Sequence, residues 1–323
     1  MHQFSTQYPI GEIGQPWGET EKSLWLAQQQ VQRSYHDDVV LPLQSMLQQP
    51  ELSAAAELFQ YGELDYQGLA LPSYPLWAVR SKHWQEGRAT ALITGGVHGY
   101  ETSGVHGALL FIAEEFQQWS QHLNLLVLPC ISPWAYETIN RWNPQAIDPN
   151  RSFSPGATSA EANAVMALLS TITDPIVLHV DLHETTDSDN SEFRPAKAAR
   201  DGTTNSNWNI PDGFYLVDDS EKSQPEFQRA IIQAVSSVTH IAEADETGCL
   251  IGEPIQQHGV IHYAKKALGL CGGITAAPFV TTTEVYPDSP TATATQCNQA
   301  QRATIVAAIA YVLQQNATRV VTS

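Results

Sequence analysis

The sequence predicts an α/β fold in which a mixed, largely parallel central sheet is flanked by helices. Short apolar, strand-like runs alternate with helical stretches from residue 76 onward, and this alternation is typical of such folds. The run IVLHVDL at 176–182 has the composition of a buried strand. The 323 residues are enough for one large α/β domain with a substantial core, or for a smaller domain with an appendage.

The individual elements follow from apolar runs and their spacing. Strands are expected at 76–80, 90–94, 123–129, 176–182, 214–217 and 279–285. Helices are expected at 101–118, 159–172, 224–238 and 296–315. Thr158, three residues before Glu161, is a candidate for the capping box of the second helix. Residues 184–212 are rich in Asp, Asn, Ser and Thr, and we predict a long loop beside the end of a strand.

The first 70 residues differ in character from the rest. They contain a glutamine-rich stretch that predicts a helix at about 19–47. Its buried stripe would be Trp25, Leu26, Val31, Val39 and Leu43. We therefore predict that residues 1–70 form an N-terminal helical cap within the same domain, and that residues 71–323 form the main domain.

Charge and cysteine content exclude several classes of partner and site. With 34 acidic and 16 basic residues the formal charge is −18, which disfavours nucleic acid and anionic membranes as partners. No CxxC spacing occurs, so reduced thiols are the simplest interpretation. The N-terminus lacks a signal-like segment and no run of about 18 apolar residues occurs, so we expect a cytoplasmic protein. The cysteines are Cys130, Cys249, Cys271 and Cys297.

The run GGVHGYE at 95–101 places His98 and Glu101 where an apolar strand ends and a helix begins. A separation of three residues in a starting helical turn puts both side chains on one face, which suits joint ligation of one metal ion. The same pattern also fits a plain polar helix start with Glu101 favoured by the helix dipole. Taken alone, the motif is therefore a weak signal.

His183 strengthens the metal interpretation because it ends the strand at 176–182, where open α/β sheets place ligand-binding groups. His179 and Asp181 share its strand face. We expect His183 to be the third ligand, His179 to be a core histidine, and Asp181 to orient an imidazole. Two histidines and one glutamate leave a position for water, as a catalytic zinc site requires.

Three runs in this order, HGYE, DPNRSF and DLHE, resemble the M14 zinc carboxypeptidase family and its aspartoacylase and succinylglutamate desuccinylase relatives. The similarity extends over roughly residues 90–290 and implies a zinc carboxypeptidase-like, phosphorylase/hydrolase-like fold, with residues 71–323 as the catalytic domain. It also implies one Zn²⁺ ion held by His98, Glu101 and His183. Asn150 and Arg151 would bind a substrate carboxylate, a task that suits an arginine fork beside an amide.

The resemblance implies roles for residues outside the three runs. Arg141 would polarise the scissile carbonyl, and Glu284 in FVTTTEV would take a proton from the attacking water. Tyr263, 21 residues before Glu284, has the separation of the family's substrate-binding tyrosine, and Tyr286 is a second candidate. Ser132 stands where the family has an asparagine.

These residues imply a zinc-dependent metallopeptidase that cleaves an amide bond next to a free carboxylate and releases a C-terminal amino acid. Two alternatives stay open: an N-acyl amino acid deacylase of the aspartoacylase type, and a non-catalytic binding protein that keeps the zinc scaffold. The expected partner is a peptide or an N-acyl amino acid with a free carboxylate, whereas the oligomeric state is not predicted.

Overall fold

A computed structural model describes residues 8–322 of the chain, with side chains described through residue 315. Residues 1–7 and 323 lie outside this part. The ten strands are β1 (Ala56–Leu64), β2 (Tyr74–Ser81), β3 (Thr90–Gly95), β4 (Asn124–Leu128), β5 (Ile176–Glu184), β6 (Tyr215–Asp219), β7 (Cys249–Leu250), β8 (Glu253–Pro254), β9 (Val260–Tyr263) and β10 (Phe279–Val285). The helices are α1 (Glu19–Gln28), α2 (Leu41–Met46), α3 (Pro50–Ala55), α4 (Thr102–Glu114), α5 (Phe116–Trp119), α6 (Pro133–Thr138), α7 (Ala160–Ser170), α8 (Arg194–Asp201), α9 (Pro225–Val235) and α10 (Ala294–Thr322).

Eight strands form one mixed sheet, in the order β1-β2-β4-β3-β5-β10-β6-β9. The four central strands β4, β3, β5 and β10 are mutually parallel. β1 and β2 continue the sheet in antiparallel fashion on one side, and β6 is antiparallel to β10 on the other. The predicted mixed, largely parallel sheet is therefore confirmed. Since parallel neighbours end at the same edge, the carboxyl ends of β3, β5 and β10 meet there.

The two faces of the sheet are covered by different helices because side chains alternate along each strand. Ile93 and Val127 belong to the larger buried cluster, which includes residues of α4 and α10 such as Ile112 and Ile309. Their neighbours Leu92, Leu126 and Leu128 point to the opposite face and join Ala162 and Val165 of α7. Both faces are thus buried, which explains the nearly continuous apolar runs of the central strands.

The predicted helix at 19–47 is wrong as one element, because it is interrupted between α1 and a turn that begins at His36. The stretch between the two helical parts packs against α6 instead. Gln32 donates its backbone N–H to the carbonyl of Glu137, and the guanidinium of Arg33 donates to the carbonyls of Tyr136 and Gly99. Val31 is 66% exposed rather than buried. Tertiary contacts therefore override the helical pattern here.

Other departures concern polar or half-buried segments. The predicted N-terminal segment 1–70 is not purely a helical cap, because β1 within it supplies an edge strand of the sheet. The domain boundary at residue 70 stays a prediction. The predicted loop at 184–212 contains a helical turn at 189–193 followed by α8. Ser159, not Thr158, caps α7, with its hydroxyl accepting the N–H of Ala162. Within the described residues, none of the helices is long and apolar enough to cross a membrane.

Candidate functional site

Two strand ends and the start of a helix bring the predicted ligands together. His98 follows β3 in a turn that leads into α4, while His183 lies near the end of β5. Glu101 immediately precedes α4 and reaches between the two imidazoles: its Oε1 lies 2.6 Å from Nδ1 of His98 and its Oε2 lies 2.7 Å from Nδ1 of His183. All three side chains are buried.

The outer nitrogens of both imidazoles face carboxylates. Nε2 of His98 lies 3.0 Å from Oδ1 of Asp148, and Nε2 of His183 lies 3.0 Å from Oδ2 of Asp181. Each carboxylate can accept from Nε2 and thereby fixes the orientation of the ring, which leaves Nδ1 facing Glu101. The predicted orienting role of Asp181 agrees with this contact.

The donor set fits a divalent cation. Although Nδ1 of His183 approaches Oε2 of Glu101, that oxygen has no hydrogen-bond donor in the described residues. A buried carboxylate enclosed by two imidazoles needs a positive charge beside it, and a cation held by these three side chains would supply that charge. His98, Glu101 and His183 also place one ligand atom each within 4.8 Å of one another. Two imidazoles and one carboxylate are a donor set typical of zinc.

A second group of possible ligands, His179, Asp181 and Cys271, is also buried. The hydroxyl of Thr94 already bonds to both His179 and Asp181. Burial also raises the pKa of the Cys271 thiol well above its usual range, which favours the protonated form that binds metals poorly. His179 is fully buried, as predicted for a core histidine, but its Nδ1 has no partner among the described residues.

We call His98, Glu101 and His183 together the metal-ligand cluster. This cluster opens into a cavity of about 280 Å³. The cavity lining brings together the residues predicted from the sequence for the substrate site: Arg141, Asn150, Arg151, Tyr263 and Glu284. Tyr286 instead donates its hydroxyl to Asp187. The geometry therefore favours Tyr263 over Tyr286 as the tyrosine that could meet a substrate.

Glu284 is positioned by the register of the sheet. It pairs with His183 across β10 and β5, so it stands beside the metal-ligand cluster. Its Oε2 accepts a hydrogen bond from the hydroxyl of Thr185 at 2.9 Å. Burial, followed by the negative charge of Glu101, raises the pKa of Glu284 to about 8.

The basic residues of the cavity differ in their partners. Arg141 donates from Nε to Asp148 at 3.1 Å and lies close to the hydroxyl of Tyr100, so the carboxylate that orients His98 also holds this guanidinium. Arg151 is exposed and donates to the carbonyl of Asn150. Asn150 is fixed in turn, because its Oδ1 accepts the backbone N–H of Cys271 at 2.7 Å.

Sequence reasoning missed two carboxylates that build the site. Asp148 lies in the IDPNRSF run and its Oδ1 also accepts the N–H of Asn150, so the aspartate at the start of that turn was a readable signal. Glu184 accepts the N–H groups of Thr102 and Ser103 and thereby ties the start of α4 to the end of β5. This second contact joins segments about 80 residues apart, and nothing local in the sequence indicates it.

Comparison with solved structures identifies the fold. The chain superposes on a Shewanella amazonensis SB2B protein provisionally named a metallopeptidase with a TM-score of 0.64, at 18% identity and covering 87% of this chain and 98% of that one. A metallo-carboxypeptidase from Burkholderia cenocepacia gives a TM-score of 0.57 at 13% identity, covering 93% and 70% of the two chains. The chain has the metallo-carboxypeptidase fold.

The same fold occurs in bovine thrombin-activatable fibrinolysis inhibitor, with a TM-score of 0.58 at 12% identity and coverage of 90% of this chain and 99% of that one. No protein-family model matches the sequence. No curated protein matches it either. The metallo-carboxypeptidase fold thus rests on structure, and identities this low carry no activity with them.

Proposed function

We propose that this chain is a zinc-dependent carboxypeptidase that hydrolyses the amide bond before a C-terminal amino acid. One observation carries the proposal: the His98–Glu101–His183 cluster, Glu284 and the Asn150–Arg151 pair line a single cavity. These are the groups needed to hold a metal, move a proton and anchor a free carboxylate. The fold supports the proposal without specifying the reaction.

His98, Glu101 and His183 would hold the ion. Zinc bound there supplies Lewis acidity towards the scissile carbonyl and lowers the pKa of a water molecule. A cation in this position would also offset the charge of Glu101, which is the second cause of the raised pKa of Glu284. Glu284 is then ionised more readily and can serve as a general base.

The remaining residues orient the substrate. Asn150 and Arg151 would bind the free α-carboxylate, with the amide and guanidinium groups donating to its oxygens. Arg141 would donate to the oxygen that becomes negative when water attacks the carbonyl. Its contact with Asp148 holds the guanidinium in place before substrate arrives. Glu284 would then pass its proton to the leaving nitrogen.

A metal measurement and a substrate panel test this function. We expect about one zinc per chain and loss of hydrolysis after chelation, with recovery when zinc is returned. Peptides with a free C-terminus should be cleaved, and the same peptides with an amidated C-terminus should react at least about 100-fold more slowly, because Arg151 loses its anion. If the protein hydrolyses only N-acyl amino acids, the proposed activity is wrong and the protein is a deacylase. If chelators do not affect hydrolysis, the metal assignment is wrong.

A further inference from the structure

Arg194, the first residue of α8, lines the same cavity as the metal-ligand cluster and Arg151. Of the nine arginines whose side chains the structure describes, five are paired with carboxylates; Arg141 binds Asp148 and Arg200 binds Asp201, for example. In the part of the chain that the structure describes, neither Arg151 nor Arg194 has a carboxylate within ion-pair distance. Two unpaired guanidinium groups therefore share one cavity in a chain of net charge −18.

The partners of Arg194 hold its guanidinium without neutralising it. Nη1 donates to Oδ1 of Asn190 at 2.6 Å, and both Nη1 and Nη2 donate to the carbonyl of Asn209 at 3.1 Å. Asn190 is itself buried and anchored, since its Nδ2 donates to the carbonyl of Trp208. The guanidinium is thus fixed by neutral acceptors before any ligand binds, which favours recognition of an anion.

The pattern of these bonds defines the free edge of the guanidinium. The guanidinium has five N–H donors, and the bonds to Asn190 and Asn209 use both donors of Nη1 and one donor of Nη2. The N–H of Nε and the second N–H of Nη2 have no acceptor among the described residues. These two donors lie parallel on the same side of the planar group. That edge matches the two oxygens of a carboxylate in a bidentate pair.

Arg194, Arg151 and Tyr263 line the same cavity. The positive charges of both residues act on the hydroxyl of Tyr263 and oppose the rise in its pKa caused by burial and Glu284. Glu253 also acts on Tyr263, but it is not among the residues that line the cavity. A substrate whose α-carboxylate is bound by Arg151 could therefore bring a second anionic group to Arg194 within the same cavity.

The carboxylates of the cavity offer little to a basic side chain. Glu101 and Asp181 contact the imidazoles, Glu184 accepts the N–H groups of Thr102 and Ser103, and Glu284 accepts from the hydroxyl of Thr185. Asp189 accepts from the hydroxyl of Tyr100 and the N–H of Thr186, and it lies 3.8 Å from Arg141. Burial raises the pKa of Asp189, and the charges of Arg141 and Arg194 oppose this rise. Lys197 also lines the cavity, but its ammonium is already 2.9 Å from Asp201. The unused charge in the substrate part of the cavity is thus positive and lies on Arg151 and Arg194.

We propose that Arg194 binds a second carboxylate of the substrate and makes the enzyme selective for an acidic C-terminal residue. This inference rests on the proposed carboxypeptidase function. Arg151 takes the α-carboxylate, Arg194 takes the side-chain carboxylate, and the released product is an acidic amino acid.

Matched peptides that end in Glu or Gln test the proposal, because they differ in charge but hardly in shape. We expect the zinc-loaded protein to prefer the Glu peptide at least about 10-fold in kcat/KM, as one charge-assisted bidentate pair implies. Arg194→Met should remove this preference by lowering kcat/KM for the Glu peptide to about the value for the Gln peptide. Arg194→Lys should restore part of the preference. Lys197→Met is the control and should retain it, because Lys197 is already paired.

The outcomes separate this inference from the proposed function. If the protein cleaves peptides with a free C-terminus but does not prefer Glu over Gln, or if Arg194→Met keeps the preference, the inference is wrong and the function stands. A preference for an acid on the acyl side would also overturn it. If no peptide is cleaved, calorimetric binding of glutamate and glutamine decides: tighter glutamate binding that Arg194→Met abolishes supports the subsite, and equal binding refutes it.

Discussion

Glu284 lies directly opposite His183 in the parallel register of β10 and β5. The pairing places a carboxylate beside the metal-ligand cluster without making it a ligand, since the cluster itself consists of His98, Glu101 and His183. The partner of Glu284 is instead the hydroxyl of Thr185. The pairing of β5 with β10, about 100 residues apart in the sequence, therefore places Glu284, which is proposed to move protons, beside the residues proposed to hold the ion.

The first prediction follows from this separation. Glu284→Gln should lower kcat by about 10²–10⁴-fold, the usual contribution of a general base, while metal content stays near that of the unchanged protein. Steady-state kinetics and metal analysis on the same preparation measure both quantities. Glu243→Gln is the control and should be nearly silent, because Glu243 is 84% exposed. Full turnover in Glu284→Gln would remove Glu284 from the mechanism.

The second prediction concerns the carboxylates behind the imidazoles. Asp181→Asn should weaken metal binding by about 10–100-fold, because the substituted amide no longer fixes and polarises His183 as a carboxylate does. Competition with a chromogenic chelator measures the affinity. Asp212→Asn removes a comparable carboxylate–histidine contact, to His240 at 2.9 Å on the surface, and should leave the affinity unchanged. Equal effects of both substitutions would show that Asp181 has no specific role.

The third prediction concerns the turn between the first two ligands. A Cβ atom added to Gly99 would lie 2.0 Å from backbone atoms of Ala135 and Tyr136, so Gly99→Ala must displace either this turn or α6. We expect a loss of about 1–3 kcal/mol or more in the free energy of unfolding, together with weaker metal binding, since His98 is the adjacent residue. Thermal unfolding and the same chelator competition measure these effects.

Gly68→Ala is the matched control for this turn. A Cβ atom at Gly68 meets no atom within 4 Å, so the substitution should be tolerated. If Gly99→Ala were as stable as Gly68→Ala, the close packing between the turn and α6 would not constrain the site.

The central sheet and the ligand motifs could be predicted from the sequence because they depend on local patterns. The apolar run of β5 is fully readable, and His183 follows from its position near the strand end. β1 was missed because its residues are mostly half-buried at the edge of the sheet and its pattern is weak. The break after α1 could not be predicted, since Arg33 finds its acceptors on residues about 70 to 100 positions away.

The same division applies to the site. Residues adjacent to a motif, such as Glu101 and Arg151, could be assigned from it. The edge of Arg194 that lacks an acceptor depends on Asn209, which lies 15 residues away across the end of α8, in a stretch predicted to be a loop. Groups that act through long-range contacts become visible only when the chain is folded.

The last prediction concerns Lys265, a fully buried ammonium group whose hydrogen-bond partner is the hydroxyl of Thr282. Burial lowers the pKa of Lys265 to about 8, although Asp181 and Asp218 oppose this shift. Between about pH 8 and the unfolded value near 10.5, the unfolded chain binds more protons at this residue than the folded chain. The contribution of Lys265 to stability therefore rises with pH across that window, and below pH 8 the cost of the buried charge is fully present.

Lys265→Met should consequently stabilise the protein at pH 7, by an amount on the order of 3.5 kcal/mol at most, since one pKa unit corresponds to about 1.4 kcal/mol. The advantage should shrink as the pH rises from about 8 to 10.5, because the unchanged protein then loses the buried charge. Denaturant unfolding at a series of pH values measures the difference, with Lys266→Met as the exposed neighbouring control. A destabilised Lys265→Met at pH 7 would mean that the nearby aspartates compensate the ammonium fully, and that its charge supports the fold.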